Sequence, residues 1–364
     1  MQTKQLVAGI ASLVLALGAV ACGSDDDSDS GDGAGTKPEG KIAVLLPDSK
    51  SSARWETADR RFFEQAFQAA GLSEDDYLIN NAEGDTAVQR SQAEQAITEG
   101  AKVILLVNLD PGSGAAIIAD GKSQGVTMID YDRLTVGGDA DYYVSGDATE
   151  AGRLQARGLI EDLQGKSGAQ IAILDGAPTD SFATDLKKGY TEVLKSPEGE
   201  DIEVAVEQPV PNWDSQKALT IYEQMLQAAK QPFDGTLAAN DAIANATIAA
   251  RKARKLDPIP TSGLDATPEA LQHILAGEQT FTVYFSIKEQ ATKAAKLALQ
   301  AARGQKPTGI TTKVDNGKGM VPTILLKPQV IRKDNIGDTV IADDFASWDD
   351  VCVGEYEKYC PKNR

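Results

Sequence analysis

The strongest constraint on the fold is an alternation, over residues 41–276, of short apolar runs with longer stretches in which apolar residues recur every three or four positions. The short runs predict buried strands, and the longer stretches predict amphipathic helices. Such an alternation favours right-handed crossovers and a parallel sheet. The first series has predicted strands at 41–47, 77–80, 103–107 and 127–130, and predicted helices at 53–70, 86–99 and 113–123.

A second series has predicted helices at 149–163, 182–194, 214–229, 242–253 and 268–276, and predicted strands at 171–174, 202–206, 236–239 and 261–263. A strand at 281–284, a long helix at 287–303 and a strand at 320–326 complete the pattern. We therefore predict an α/β fold of two doubly wound parallel-sheet lobes, joined by a hinge of crossing segments. The N-terminal lobe would comprise 41–145 plus 287–321 and the C-terminal lobe 146–286 plus 322–345, with a ligand in the cleft between them.

The first 40 residues have the pattern of an export signal followed by a tether. Lys4 precedes an apolar run at 6–21 that is shorter than the about 20 residues of a membrane-spanning helix. Residues 19–23 resemble a bacterial lipobox in which Ala19 replaces the usual Leu, and this implies a lipoprotein signal peptide at 1–22 with Cys22 lipidated. An ordinary signal peptide and an uncleaved anchor are the alternatives, and all three place the folded part outside the cytoplasm. Residues 23–40 are rich in Gly, Ser and Asp, which predicts a flexible acidic tether.

Charge and composition exclude several functions. The formal net charge is −18 without a Lys or Arg cluster, so the surface would repel nucleic acid. His273 is the only histidine and lies in a predicted helix, so a catalytic triad and a histidine-rich metal site lack their usual residues. No phosphate-binding glycine loop is present, and no cofactor is expected. Cys352 and Cys360 predict a disulfide in a C-terminal tail at 346–364, since the chain is exported.

Polar and aromatic residues follow one predicted strand after another. Arg54 and Trp55 come after the first strand, where open parallel sheets bind their ligands. Planar donors, carboxylate acceptors and indole rings together suit the hydroxyls and the ring face of a sugar. Packing of Trp55 in the core and helix capping by the acidic residues are the alternatives. The other strand-end residues are Asp132, Arg133, Asp180, Trp213, Asn240, Asp241 and Asp265.

Five motifs occur in the same order as in one known family. They are Lys-Ser-Ser-Ala-Arg-Trp at 50–55, Asp-Tyr-Asp-Arg-Leu at 130–134, Gly-Leu-Asp-Ala at 263–266, Ala-Gly-Glu-Gln at 276–279 and Val-Pro-Thr-Ile-Leu-Leu-Lys-Pro at 321–328. Through them the chain from about residue 41 to 344 resembles the periplasmic sugar-binding proteins of ABC importers, which have the type I two-lobe fold. Within that family it is most similar to D-xylose-binding and multiple-sugar-binding receptors.

The resemblance implies a role for each strand-end residue. Trp55 and Trp213 would stack on the sugar ring, and Asp241 would hold Asn240 or cap its helix. Three departures stand out: Phe182 replaces an Asn of the relatives, Leu264 replaces a Gln and Phe285 replaces a Lys. A buried hydroxyl without a partner costs about 1–3 kcal/mol, so these changes favour a less hydroxylated or differently substituted sugar, or a ligand with an apolar face. The residues expected to form hydrogen bonds with the ligand are Arg54, Asp132, Arg133, Asp180, Asn240 and Asp265.

The resemblance predicts a lipid-anchored solute receptor that works as a monomer outside the cytoplasm. It would bind a monosaccharide and deliver it to an ABC permease, with the membrane reached through the anchor at Cys22. Presentation of the bound form to a membrane sensor kinase is an alternative that the sequence leaves open. A third possibility is an extracellular enzyme acting on sugars, with Asp132 and Asp265 as acid and base.

Overall fold

The computed structural model describes residues 38–362. Cys22 and the predicted signal peptide lie outside this range. Within it, no helix is both long enough and apolar enough to cross a membrane. The strands are β1 (Lys41–Leu46), β2 (Tyr77–Asn81), β3 (Ala101–Leu106), β4 (Thr127–Tyr131), β5 (Tyr142–Gly146), β6 (Ala169–Asp175), β7 (Ile202–Pro209), β8 (Gly235–Ala238), β9 (Thr282–Tyr284), β10 (Thr312–Asp315), β11 (Met320–Leu326) and β12 (Gln329–Ile331).

The predicted helices are present with small shifts at their ends, except that the first one, predicted at 53–70, is divided into a π-helical turn and an α-helix. A π-helical turn at Trp55–Asp59 precedes the first α-helix and a second π-helical turn lies at Gly337–Ile341. The α-helices are α1 (Arg60–Ala69), α2 (Thr86–Thr98), α3 (Pro111–Ser123), α4 (Ala148–Asp162), α5 (Ser181–Leu194), α6 (Ser215–Ala228), α7 (Asp241–Ala253), α8 (Pro268–Ala276), α9 (Ile287–Ala302) and α10 (Trp348–Val351).

The first lobe is built on a seven-stranded sheet of order β10-β11-β5-β4-β3-β1-β2, parallel throughout except where β10 pairs with β11. Both faces of this sheet are covered. Along β1, Val44 and Leu46 belong to a core shared with α1 and α9, while Ala43 and Leu45 belong to a core shared with α2 and α3. Because both faces are buried, the strand reads as a continuous apolar run.

The second lobe has a smaller parallel sheet of order β7-β6-β8. Thr261 joins β8 through a single bridge to Thr236, and Leu264 bridges to Val283 in β9. The predicted strand at 261–263 is therefore reduced to one bridge. β9 pairs in antiparallel fashion with β12.

The chain passes between the lobes after β5, after β9 and after β11. β11 continues past the lobe boundary predicted between residues 321 and 322, runs to Leu326 and pairs with β5 in the first sheet. Three strands, β5, β10 and β12, were not predicted. α9 follows β9 of the second lobe and packs on α1 of the first.

Both ends of the described range pack against the domain. Pro38 is buried and the amide of Glu39 donates to the carbonyl of Ala302 at 3.4 Å, so residues 38–40 do not belong to a free tether. At the other end, Cys352 and Cys360 form a disulfide (S–S 2.09 Å).

The single histidine has a packing role. His273 is 6% exposed, and its Nδ1 lies 2.6 Å from Oε2 of Glu278. The ring of Tyr356, which belongs to the disulfide-closed loop, packs edge-on against the imidazole.

Candidate functional site

A pocket lies between the two lobes, at the carboxyl ends of their strands. The space between the lining atoms has an empty volume of about 360 Å³, which includes the part open to solvent. Polar groups and aromatic rings from both lobes form its wall. The lining residues are Ser51, Ser52, Arg54, Trp55, Asp132, Arg133, Asp180, Phe182, Trp213, Asn240, Leu264 and Asp265.

Arg54 is buried at the floor of the pocket with carboxylates around its guanidinium. Its Nη2 donates to Oδ2 of Asp132 at 2.6 Å, its Nε lies 3.2 Å from Oδ2 of Asp59, and its Nη1 lies 4.0 Å from Oδ1 of Asp265. The π-helical turn at Trp55–Asp59 brings Asp59 beneath Arg54, because such a turn aligns residues five apart. Burial alone would lower the pKa of Arg54, but the carboxylates led by Asp132 raise it, so this residue is a fixed cation.

The carboxylates around Arg54 are themselves buried. Burial raises the pKa of Asp59 to about 7 against the opposing charge of Arg54, and the hydroxyl of Tyr131 donates to Asp59 Oδ1 at 2.6 Å. Burial likewise raises the pKa of Asp265 to about 6. Gln290, on α9, donates to Oδ2 of Asp132 at 3.1 Å and so fixes that carboxylate from the hinge side.

A second charged group spans the cleft. Nε of Arg133, from the first lobe, lies 3.0 Å from Oδ2 of Asp180 in the second lobe. Trp213 donates from Nε1 to the same oxygen at 2.9 Å. The other oxygen of Asp180 accepts from the amide of Phe182 at 2.9 Å and caps α5.

Further hydrogen bonds join the lobes around the pocket. Asn240 donates from Nδ2 to the carbonyl of Ser51 at 3.2 Å, and the hydroxyl of Ser52 donates to Oδ2 of Asp265 at 3.0 Å. Ser181 donates to the carbonyl of Leu134 at 2.7 Å. The lobes are therefore in direct contact on both sides of the pocket.

Aromatic side chains form the remaining wall. The guanidinium carbon of Arg54 lies 4.1 Å from the centre of the Trp55 indole. The Trp213 ring packs so closely on Gly176 that a Cβ there would lie 2.2 Å from Cη2 of the indole. Phe182 lines the pocket, with the ring of Phe285 behind it, edge-on at 6.1 Å.

Three pocket residues have left-handed backbone conformations. The φ angles are +66° at Asp132, +56° at Trp213 and +105° at Asp265. Such angles are uncommon for residues other than glycine and concentrate at functional sites. The fold holds these three side chains in place against their local backbone preference.

Nine of the eleven residues predicted to bind ligand line this pocket. The other two do not: Asp241 is fully buried beneath it, where it accepts from Thr282 Oγ1 at 2.7 Å and from the amide of Thr267 at 2.9 Å. Phe285 lies behind Phe182 because it fills the space beside Gly146. Sequence reasoning missed five residues of the site. Ser51, Ser52 and Leu264 line the pocket; the first two belong to the motif at 50–55, and Leu264 was noted as a departure from the relatives but not assigned to the site. Asp59 and Gln290 support the pocket from behind.

The site has no metal-binding character in the part of the chain that the structure describes. No group of three or more His, Cys, Asp or Glu residues between residues 38 and 362 is arranged to hold a metal ion. The carboxylates of the pocket instead lie beside the guanidinium groups of Arg54 and Arg133.

Comparison with known proteins identifies the family. A family model described as a periplasmic binding protein domain matches residues 42–306. The chain belongs to this family. Its α/β fold with parallel sheets in two lobes is the type I fold, as the sequence predicted.

Named relatives and a solved structure agree with this assignment. The D-xylose-binding periplasmic protein of Escherichia coli is 33% identical over 310 residues, which cover 84% of this chain and 91% of the relative. The multiple sugar-binding periplasmic protein of Azospirillum brasilense is 28% identical, with coverage of 82% and 88%. The solute-binding protein of a carbohydrate transporter from Chloroflexus aurantiacus, crystallised with D-glucose, has a TM-score of 0.77 at 26% identity and covers 85% of this chain and 97% of its own. The chain is a binding protein and not an enzyme, which excludes the sugar-acting enzyme considered from its sequence.

Proposed function

We propose that this chain is a lipid-anchored receptor outside the cytoplasm that binds one monosaccharide between its lobes and delivers it to an ABC permease. The observation that carries the proposal is the pocket, where donors and acceptors from both lobes surround a small space beside two indole rings. Sugars need such a set, because each hydroxyl is both donor and acceptor and each ring has an apolar face. The similarity to a D-xylose-binding and a multiple sugar-binding periplasmic protein supports the same ligand class.

Binding at this position would stabilise contact between the lobes. Arg54 and Asp132 lie on one side of the pocket, and Asp180 and Asp265 lie on the other. A ligand that bridges the two sides gains its full set of contacts only when the lobes meet, so it favours the closed form. The permease then has a single closed shape to recognise, and a monomer suffices for this task.

We propose that the ligand is not a fully hydroxylated hexose. Phe182 and Leu264 give one part of the wall no hydrogen-bonding group. A hydroxyl directed there would lose its partners, at about 1–3 kcal/mol. We therefore leave xylose itself as one candidate among related sugars.

The lipid anchor is proposed from the sequence alone. Cys22 and the tether precede the described residues, and a lipid on Cys22 would keep the receptor at the membrane that holds its permease.

Tryptophan fluorescence tests this function. The chain from residue 22 onward, with Cys22→Ala to keep it in solution, is unfolded, stripped of any carried-over ligand and refolded. It is then titrated with pentoses, hexoses, and deoxy and amino sugars. We expect a saturable change with one or a few sugars, which persists in Trp348→Phe and disappears in Trp213→Ala. Trp348 is the control because it begins α10, outside the pocket. A folded protein that responds to no sugar would refute the proposal.

A further inference from the structure

The pocket and the residues directly behind it contain more negative than positive charge. Two guanidinium groups, Arg54 and Arg133, face four carboxylates. Every one of these six side chains is at least nine-tenths buried. The carboxylates are Asp59, Asp132, Asp180 and Asp265.

Two carboxylate oxygens remain open toward the pocket. Oδ2 of Asp132 accepts from both Arg54 and Gln290, and Oδ2 of Asp265 accepts from Ser52. Within residues 38–362, neither Oδ1 accepts a hydrogen bond; the closest cationic group to Oδ1 of Asp265 is Nη1 of Arg54 at 4.0 Å. Both residues line the pocket, so these acceptors are available to a ligand.

The carboxylate and amide oxygens of Asp180 and Asn240 already have partners. Oδ1 of Asp180 caps α5, and its Oδ2 accepts from Arg133 and Trp213. The side-chain oxygen of Asn240 accepts from the amide of Ile243. The open acceptors are therefore concentrated on Asp132 and Asp265, which lie on opposite sides of Arg54.

Buried negative charge in excess has to be compensated. An unpaired buried carboxylate is strongly unfavourable, so it takes up a proton or acquires a cation. Burial already raises the pKa of Asp59 to about 7 and that of Asp265 to about 6, which indicates that the protein alone does not neutralise them. Asp241, fully buried beside Asp265, adds to the same excess.

We propose that the preferred ligand is an amino sugar whose ammonium group binds between the open oxygens of Asp132 and Asp265. This inference rests on the proposed function and makes it more specific. An ammonium group has three donors and no acceptor, which matches two carboxylate oxygens that have no donor. Its hydrogen bonds to them are charge-assisted, and the indole of Trp213 adds attraction for a cation.

The same charge balance predicts which sugars are rejected. A uronic acid or a sugar phosphate would add negative charge to a site that already has an excess. A neutral sugar would bind with proton uptake by Asp265 or Asp59, whereas an amino sugar would bind without it. Proton uptake is measurable apart from affinity, since the heat of binding then depends on the buffer.

Calorimetric titration of matched sugar pairs tests the inference. The chain from residue 22 onward, with Cys22→Ala, is titrated at about pH 6.5, where amines are protonated, with glucose and glucosamine, galactose and galactosamine, and the N-acetyl form of each amine. In at least one pair the amine binds at least about tenfold more tightly than the hydroxyl sugar. The uncharged N-acetyl form loses this advantage.

Substitutions assign the preference to the carboxylates. Asp265→Asn and Asp132→Asn each remove one charge but keep the shape, and Asn tolerates the positive φ at both positions. Each variant reduces the preference for the amine to about twofold or less, with a smaller effect on the neutral sugar. Glu83→Gln is the control, because Glu83 is exposed and lies outside the pocket lining. Its carboxylate accepts a hydrogen bond from the hydroxyl of Ser49.

The amino-sugar preference and the receptor function fail on different results. Tighter binding of the neutral sugar in every pair overturns the amino-sugar inference and leaves the receptor function standing. An equal loss for amine and hydroxyl sugar in both Asp variants also overturns it, because the carboxylates would then recognise a hydroxyl. If no sugar of any kind binds, the proposed function itself fails.

Discussion

Asp180 shows how a single residue can satisfy two interpretations. The sequence left open whether it caps a helix or belongs to the site, and the structure gives it both positions: Oδ1 caps α5, while Oδ2 receives Arg133 and Trp213. Asn240 is similar, with its oxygen capping α7 and its nitrogen reaching Ser51 across the cleft. In each of these two side chains one polar atom caps the helix, and the other polar atom faces the cleft.

At Gly176, a small residue supports a large one. A Cβ at this position would lie 2.2 Å from the Trp213 indole, so Gly176→Ala displaces the ring that the proposed function stacks on the sugar. We expect at least about tenfold weaker sugar binding, because the lost stacking is worth about 1 kcal/mol or more and the Asp180 hydrogen bond is strained as well. Gly319→Ala, which meets nothing within 4 Å, is the matched control. Unchanged affinity in Gly176→Ala would show that Trp213 does not contact the ligand.

Individual site residues were predictable where a strand ends and not elsewhere. Asp132, Asp180 and Asp265, which the strand-end rule singled out, lie at the pocket wall. Asp241 lies beneath it, because Asn240 already faces the cleft and the next residue in the chain points into the core. Gln290 could not be found in this way, since it reaches Asp132 from the first turn of α9, which lies far away in sequence.

The first helix differs from its prediction in a way that matters for the site. Apolar spacing predicts one α-helix over 53–70, whereas the structure has a π-helical turn at Trp55–Asp59 before α1. The wider turn brings Arg54 and Asp59 together at 3.2 Å, which an α-helical turn would not align. Apolar spacing indicates which face of a helix is buried, but it does not distinguish an α-helical turn from the wider π-helical turn.

The crossing of α4 and α5 depends on two glycines. A Cβ on Gly152 would lie 2.0 Å from the carbonyl oxygen of Leu186, and a Cβ on Gly189 would lie 1.9 Å from that of Thr149. Both obstacles are backbone atoms, which cannot rotate away. Gly152→Ala should therefore lower the free energy of unfolding by about 1–3 kcal/mol despite the higher helix propensity of alanine.

Urea denaturation measures this effect, with Gly319→Ala again as the control. A gain in stability, as alanine gives in an open helix, would show that the two helices are not in such close contact. The same clash at Gly189→Ala provides an independent second measurement.

Elements with weak sequence signals were the ones missed. β5 is a run of only five residues, Tyr142–Gly146, and follows an acidic loop. β10 is largely exposed and β12 has three residues. Such strands are specified by their neighbours in the sheet more than by their own sequence.

The molecule as a whole should become more stable on mild acidification. Burial raises the pKa of Asp59, Asp130 and Asp241 to about 7 and that of Asp265 to about 6, against about 3.9 in an unfolded chain. The folded protein thus binds more protons than the unfolded chain between these values, so stability decreases as the pH rises through this window. Carboxylates with lowered pKa, such as Asp110 and Glu278, titrate below it.

Thermal denaturation at constant ionic strength checks this prediction. Without added ligand, we expect the Tm to rise by several degrees from about pH 7.5 to about pH 5.5. A Tm that is flat or decreases over this range would mean that the buried carboxylates are compensated by groups other than those facing them here.

A crystal structure with the tightest-binding sugar from the titrations tests the central claim most directly. We predict one sugar ring in the pocket between the lobes, with Trp213 against its face and with hydrogen bonds to Asp132 from the first lobe and Asp265 from the second. A saturating sugar bound at any other place, or one that contacts a single lobe, would contradict the account of this chain as a receptor that closes on its ligand.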